Sequence, residues 1–159
     1  MTRQLKIRCE RDTAILAELL APSCREGLSL GLCGDLGAGK TTFVRYLVKA
    51  LGCSAESVSS PSFTLENEYR LPSGQVVEHW DLYRLKTLPI ELLEPPAKGV
   101  LRIVEWPDRI EGFVDSLELV VSLRVTSGEA REIVLSGIKA AGLTELTRDL
   151  NSKECSQSA

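Results

Sequence analysis

The sequence predicts an α/β fold: a mixed sheet, parallel in its core and widened by antiparallel hairpins, with helices flanking it. Three observations lead there. Leu28, Leu30 and Leu32 alternate with Ser29 and Gly31, enter a glycine-rich turn, and are followed at once by a helical periodicity. That is the strand–loop–helix order of a parallel unit. The turn itself, Gly34-Asp35-Leu36-Gly37-Ala38-Gly39-Lys40-Thr41, matches G-x-x-x-x-G-K-[ST] in full, the signature of a P-loop nucleotide-binding fold. Farther along, apolar runs are separated by Pro72-Ser73-Gly74 and by Ser127-Gly128, turn chemistry suited to antiparallel hairpins.

Each element follows in order. Leu5, Ile7 and Cys9 alternate with polar neighbours and form a first strand. Ala14, Ile15, Leu19 and Leu20 keep a helical spacing that Pro22 is expected to end. After the P-loop, Phe43, Val44, Leu47, Val48 and Leu51 share one helix face, and Gly52 stands where a left-handed cap is needed. Segments 62–71 and 75–81 are two strands of one hairpin. A weakly helical stretch at 90–94 is broken by Pro95-Pro96. The apolar run 100–104 is a strand that delivers Glu105-Trp106-Pro107. Strands 117–125 and 132–135 form a second hairpin, and 143–150 a short closing helix. Residues 1–150 are expected to be one domain, and 151–159 a flexible polar tail.

Composition narrows the function classes. Hydrophobic residues make up 43% and charged residues 26% of 159, a globular mix that excludes wholesale disorder. No apolar run approaches the roughly 18 residues of a membrane helix, and the first dozen residues lack the apolar core of a secretory signal. The expectation is a soluble, cytoplasmic protein. With 19 Lys and Arg against 22 Asp and Glu, the charge balance argues against a protein whose main task is to grip nucleic acid. Cys9, Cys24, Cys33, Cys53 and Cys155 have neither zinc-knuckle nor Cys-x-x-Cys spacing and are read as reduced thiols.

The chemistry is carried by the P-loop. Gly34, Gly37 and Gly39 let the backbone curl so that successive N–H groups face inward on an anion, and the following helix presents its positive end to the same phosphates. Lys40 would set its ammonium against the β- and γ-phosphates, and the Thr41 hydroxyl would help hold Mg²⁺. Such a site needs an acidic partner on a neighbouring strand end. Glu105 is the candidate; the alternative is a strand-end glutamate facing solvent. Asp81, which also ends an apolar strand, is read as orienting the attacking water or sitting behind the metal; the alternative is a cap on the next turn. His79 is read as a packed strand residue. The hydroxyl-rich loop Ser59-Ser60-Pro61-Ser62-Phe63-Thr64 is either a switch that senses the γ-phosphate or a plain connection. Trp106 is expected half-buried beside the site.

GDLGAGKTTF, SPSFTLENEY, HWDLYRL and IVEWPD, in this order and at these separations, resemble the TsaE (YjeE) family. The likeness spans 34–108 and extends more weakly over most of the chain. It implies an ATPase of low intrinsic turnover in the bacterial machinery that makes threonylcarbamoyladenosine beside the anticodon of tRNA. TsaB and TsaD would be its partners, and tRNA would be reached mainly through their complex. The resemblance assigns Gly37, Ala38, Gly39, Lys40, Thr41 and Thr42 to the phosphates of ATP, Thr41 and Glu105 to Mg²⁺, and Lys40, Asp81 and Glu105 to catalysis. It also points to 10–13 and 127–131 for further nucleotide contacts. Ser62 stands where the family usually has threonine, and 86–99 departs from the family pattern.

Two other readings remain. A small-molecule P-loop kinase would carry an arginine-rich lid, whereas Arg102, Arg109, Arg124 and Arg131 are scattered. A nucleotide-gated interaction module would bind ATP without hydrolysing it.

Overall fold

The structure is a computed structural model and describes residues 2–143 and 147–151. Among the described residues, one sheet contains β1 (Arg3–Ile7), β2 (Leu28–Cys33), β3 (Glu66–Arg70), β4 (Val76–Asp81), β5 (Leu101–Glu105), β6 (Leu119–Ser127) and β7 (Ala130–Ser136). Their order across it is β1-β7-β6-β2-β5-β4-β3. The central strands β6, β2, β5 and β4 run parallel. On one side β3 pairs antiparallel with β4; on the other, β7 pairs antiparallel with β6 and with β1. The mixed α/β architecture is therefore the one the sequence predicts.

Two helices, α1 (Glu10–Cys24) and α2 (Lys40–Ala50), cover one face of this sheet. Leu16 and Leu20 of α1 and Val44 and Leu47 of α2 join Leu30, Leu32, Leu101 and Ile103 in one buried cluster. On the opposite face Trp80, Val104 and Val120 lie beneath Leu92, Phe113 and Leu117. β2 is covered on both faces, as the middle strand of a parallel core must be. At Gly31 the covering segment comes so close that a Cβ would lie 2.6 Å from Leu117 Cδ1.

Several boundaries differ from the sequence expectations. β1 stops at Ile7 because Cys9, extended at φ −154°, is already the residue before α1. The helix continues through Pro22 to Cys24. A proline so near the end removes a single intrahelical donor, and burial of Ala21 and Cys24 keeps the last turn in place. The strand expected from 62 begins at Glu66, because 61–64 form a turn whose exit, Leu65, adopts φ +72°. The 90–94 stretch holds only a 3-10 turn at Ile90–Leu92. In place of a closing helix there are 3-10 turns at Ala140–Leu143 and Arg148–Asn151; 144–146 lie outside the described residues. So do 152–159, which hold most of the expected polar tail and Cys155.

Gly52 caps α2 as expected: at φ +103° it lets Cys53 N–H reach Val48 O (3.1 Å) and its own N–H reach Lys49 O (2.9 Å), the Schellman pattern. Cys24, Cys33 and Cys53 are free thiols. Burial pushes the Cys24 thiol up to about 12 and, with Asp108 nearby, that of Cys33 up to about 11. No helix of the described residues is long and apolar enough to cross a membrane.

Candidate functional site

The parallel register builds the site. Leu32, Glu105 and Asp81 are Cα partners across β2, β5 and β4, so two carboxylates end neighbouring strands on one face, beside the strand that enters the P-loop. Adjacent strands lie about 4.8 Å apart, which brings both acids within reach of one ligand. His79 lies two residues before Asp81 and so shares that face.

The P-loop closes over this row. Gly34 adopts φ +144°, and a Cβ there would sit 2.5 Å from Leu123 O; only glycine permits this approach of loop to β6. Gly39, at φ +106°, precedes α2, and no side chain caps the helix. The amides of the first helical turn, from Lys40 to Thr42, consequently have no intrahelical acceptor and are available to an anion. Lys40 Nζ donates to Gly34 O (2.6 Å) and Asp35 O (3.0 Å) and lies 3.8 Å from the centre of the Trp106 ring. Burial holds its ammonium below the usual lysine range, against the opposing pull of Glu105, Asp81, Asp108 and Asp35.

Thr41 Oγ1 donates to Glu105 Oε1 at 3.0 Å, and His79 Nε2 lies 2.8 Å from the same oxygen. Glu105 is 2% exposed and His79 fully buried. Asp81 accepts from Ser62 Oγ (3.0 Å) and from Tyr83 N–H (2.8 Å), while Ser60 and Ser62 hydroxyls meet at 2.7 Å. Gly37, Lys40, Thr41, Ser62, Asp81 and Glu105 line a cleft of about 230 Å³. A threonine hydroxyl and one carboxylate suit Mg²⁺, which takes oxygen donors and keeps the rest of its shell as water and phosphate. Among the described residues no three His, Cys, Asp or Glu side chains gather as an all-protein metal cage. The residues present therefore fit a metal that arrives with a nucleotide.

The sequence-derived candidates fall into two groups. Gly37, Gly39, Lys40, Thr41, Thr42, Asp81 and Glu105 all border the cleft. Gly34 and Ala38 do not: Gly34 supplies the carbonyl that holds Lys40, and Ala38 is buried with its carbonyl taken by Arg131 Nε at 3.0 Å. Neither 10–13 nor 127–131 lines the cleft; the second reaches the P-loop through that Arg131 hydrogen bond. Trp106 is buried, not half-buried, because Lys40 and Arg109 flank its ring and Tyr83 packs on it with centroids 4.8 Å apart. The Ser62 hydroxyl joins its loop directly to Asp81.

Sequence reasoning missed two residues. His79 does pack in its strand, but it also touches Glu105, and the two-residue alternation of His79-Trp80-Asp81 was the available signal. Tyr69, whose hydroxyl lies 3.0 Å from His79 Nδ1, had none, because only the β3–β4 register brings it there.

The chain is similar to known proteins over most of its length. Residues 7–133 match the family model described as threonylcarbamoyl adenosine biosynthesis protein TsaE. The tRNA threonylcarbamoyladenosine biosynthesis protein TsaE of Aquifex aeolicus is 41% identical over 110 residues, covering 69% of this chain and 80% of that protein. Its Bacillus subtilis counterpart is 34% identical over 143 residues, covering 86% and 87%. The crystal structure of Bacillus subtilis YdiB superposes with a TM-score of 0.65 at 29% identity, covering 93% of this chain and 97% of that one. With a family model matched over most of its length and relatives of this similarity, the chain belongs to the TsaE family of threonylcarbamoyl adenosine biosynthesis proteins.

Proposed function

We propose that this chain is a Mg²⁺-dependent ATPase that supports threonylcarbamoyladenosine modification of tRNA in the cytoplasm, working with TsaB and TsaD partners and meeting tRNA through their complex. The observation that carries the reading is the Thr41 hydroxyl held 3.0 Å from the Glu105 carboxylate at the mouth of a P-loop, with Asp81 on the adjoining strand end.

In this reading the amides of the P-loop and first turn of α2 bind the phosphates, and Lys40 exchanges its carbonyl partners for phosphate oxygens. Thr41 and Glu105 would hold the metal, whose positive charge would offset the charge developing on the phosphate oxygens. Asp81, whose ionised carboxylate accepts and does not donate, orients the attacking water. Through Ser62 it also ties the 59–64 loop to the cleft. The net charge of −3 suits a protein that reaches tRNA through partners.

The test is Mg²⁺-dependent phosphate release from ATP by the chain alone and with TsaB and TsaD, with Glu105→Ala as control. Stimulation by the partners that the control lacks supports the proposal. Binding of ATP without release in either setting would make the nucleotide-gated module the better reading.

A further inference from the structure

Glu105 Oε1 receives two donors, the Thr41 hydroxyl at 3.0 Å and the His79 ring at 2.8 Å. With Glu105 accepting, the hydrogen between it and His79 is carried by Nε2, the ring tautomer in which His79 donates to Oε1. On the other side of the ring, Nδ1 lies 3.0 Å from the Tyr69 hydroxyl. That hydroxyl has one proton: given to Nδ1 at the shorter distance, it is not also given to Ser59 O, 3.2 Å away, which keeps Asn67 Nδ2 as its donor at 3.1 Å. His79 is fully buried and Tyr69 nearly so, leaving no solvent to replace either contact. Among the described residues no donor is placed on Glu105 Oε2. The two hydrogen bonds on Oε1 thus decide which oxygen of the carboxylate is left for a ligand, and one of those bonds depends on a ring that Tyr69 holds in place.

We infer that His79, seated by Tyr69, is a positioning residue that turns Glu105 so that Oε2 is presented to the metal. The inference rests on the proposed metal role of Glu105. It assigns to the buried line Glu105–His79–Tyr69 the task that outer hydrogen bonds perform at metal sites generally, where their loss costs about 10- to 100-fold in affinity. A histidine serving only to fill the core predicts something else: a leucine in its place would cost stability, because the buried Tyr69 hydroxyl and Glu105 oxygen lose a partner, but would leave the contribution of the metal to ATP binding unchanged.

The experiment uses the full chain and the tryptophan fluorescence expected to report on Trp106 beside Lys40. ATP is titrated with Mg²⁺ and again with EDTA, and the ratio of the two affinities measures what the metal adds; melting temperatures report folding. Glu105→Gln should collapse the ratio. His79→Leu should lower it about tenfold or more with metal-free ATP affinity unchanged. His79→Gln, which can donate to Glu105 and accept from Tyr69, should stay within about threefold of the parent protein, and Tyr69→Phe should fall between. A ratio kept by His79→Leu but lost by Glu105→Gln overturns the positioning role and leaves the metal reading standing. A ratio kept by Glu105→Gln overturns the metal reading itself. If His79→Leu does not fold, Tyr69→Phe decides, and an unchanged ratio there overturns the inference.

Discussion

Trp106 and Leu65 are the non-glycine residues with positive φ among those described, at 60° and 72°, and both serve the candidate site. Trp106 N–H reaches Leu32 O (3.0 Å), and that backbone bend lays the indole over Lys40. Leu65 O accepts the Asp81 N–H (3.0 Å), anchoring the strand end that carries the carboxylate. A left-handed side-chain-bearing residue costs about 1–2 kcal/mol, so each conformation must be held by its surroundings. Asp81 is where this arrangement can be tested. The partners of its carboxylate, Ser62 Oγ and Tyr83 N–H, belong to neighbouring loops and not to the P-loop. Asp81→Ala should therefore slow single-turnover hydrolysis about a hundredfold and leave ATP affinity within about threefold. A large loss of affinity in an equilibrium titration would make Asp81 a scaffold residue instead. At this scale the sequence picked out Lys40, Thr41, Asp81 and Glu105, which the structure brings to one cleft. It did not reveal their contacts: the Glu105–His79 and Asp81–Ser62 pairs cross 26 and 19 residues of chain.

Of the two helices, α2 is the better encoded. α2 has its apolar face at three- and four-residue spacing, an uncapped start at Gly39, and a glycine stop at Gly52. Gly52→Ala should lower stability by about 1 kcal/mol, seen as a reduced urea midpoint, without altering ATP affinity, because the cap lies at the end of α2 away from the cleft. An equal loss of affinity would mean that the cap helps set the P-loop. α1 runs past Pro22 because tertiary burial outweighs one missing hydrogen bond. The 61–65 turn replaces the start of an expected strand for a related reason. Its Pro61 carbonyl takes the Leu65 N–H (2.8 Å) and its Ser62 turns inward to Asp81, so a run with strand-like composition is spent on the site. The second hairpin also reaches the P-loop, through Arg131 to Ala38 O; alternation along β6 and β7 carries no trace of that contact.

For the molecule as a whole, ligand and fold are linked, since the cleft draws on α2, β4, β5 and the 59–64 loop together. Saturating MgATP at about 100 times its dissociation constant should stabilise the chain by about 2.7 kcal/mol, a rise in melting temperature of roughly 5–10 °C. Lys40→Ala should abolish that rise. An undiminished shift in the lysine variant would sink the phosphate-site assignment. The sequence by itself determined the P-loop, the strand before it, the helix after it and the mixed α/β class, because each of these rests on spacing within some fifteen residues, where glycine freedom and side-chain periodicity act directly. It also singled out Glu105 and Asp81, since both end apolar strands. Only the tertiary structure decided that β5 and β4 lie side by side in a register pairing those two acids. That register in turn sets His79 against Glu105, and the β3–β4 pairing brings Tyr69 to His79. Strand order and register arise from long-range burial, and a local pattern contains no information about which distant strand will be its neighbour.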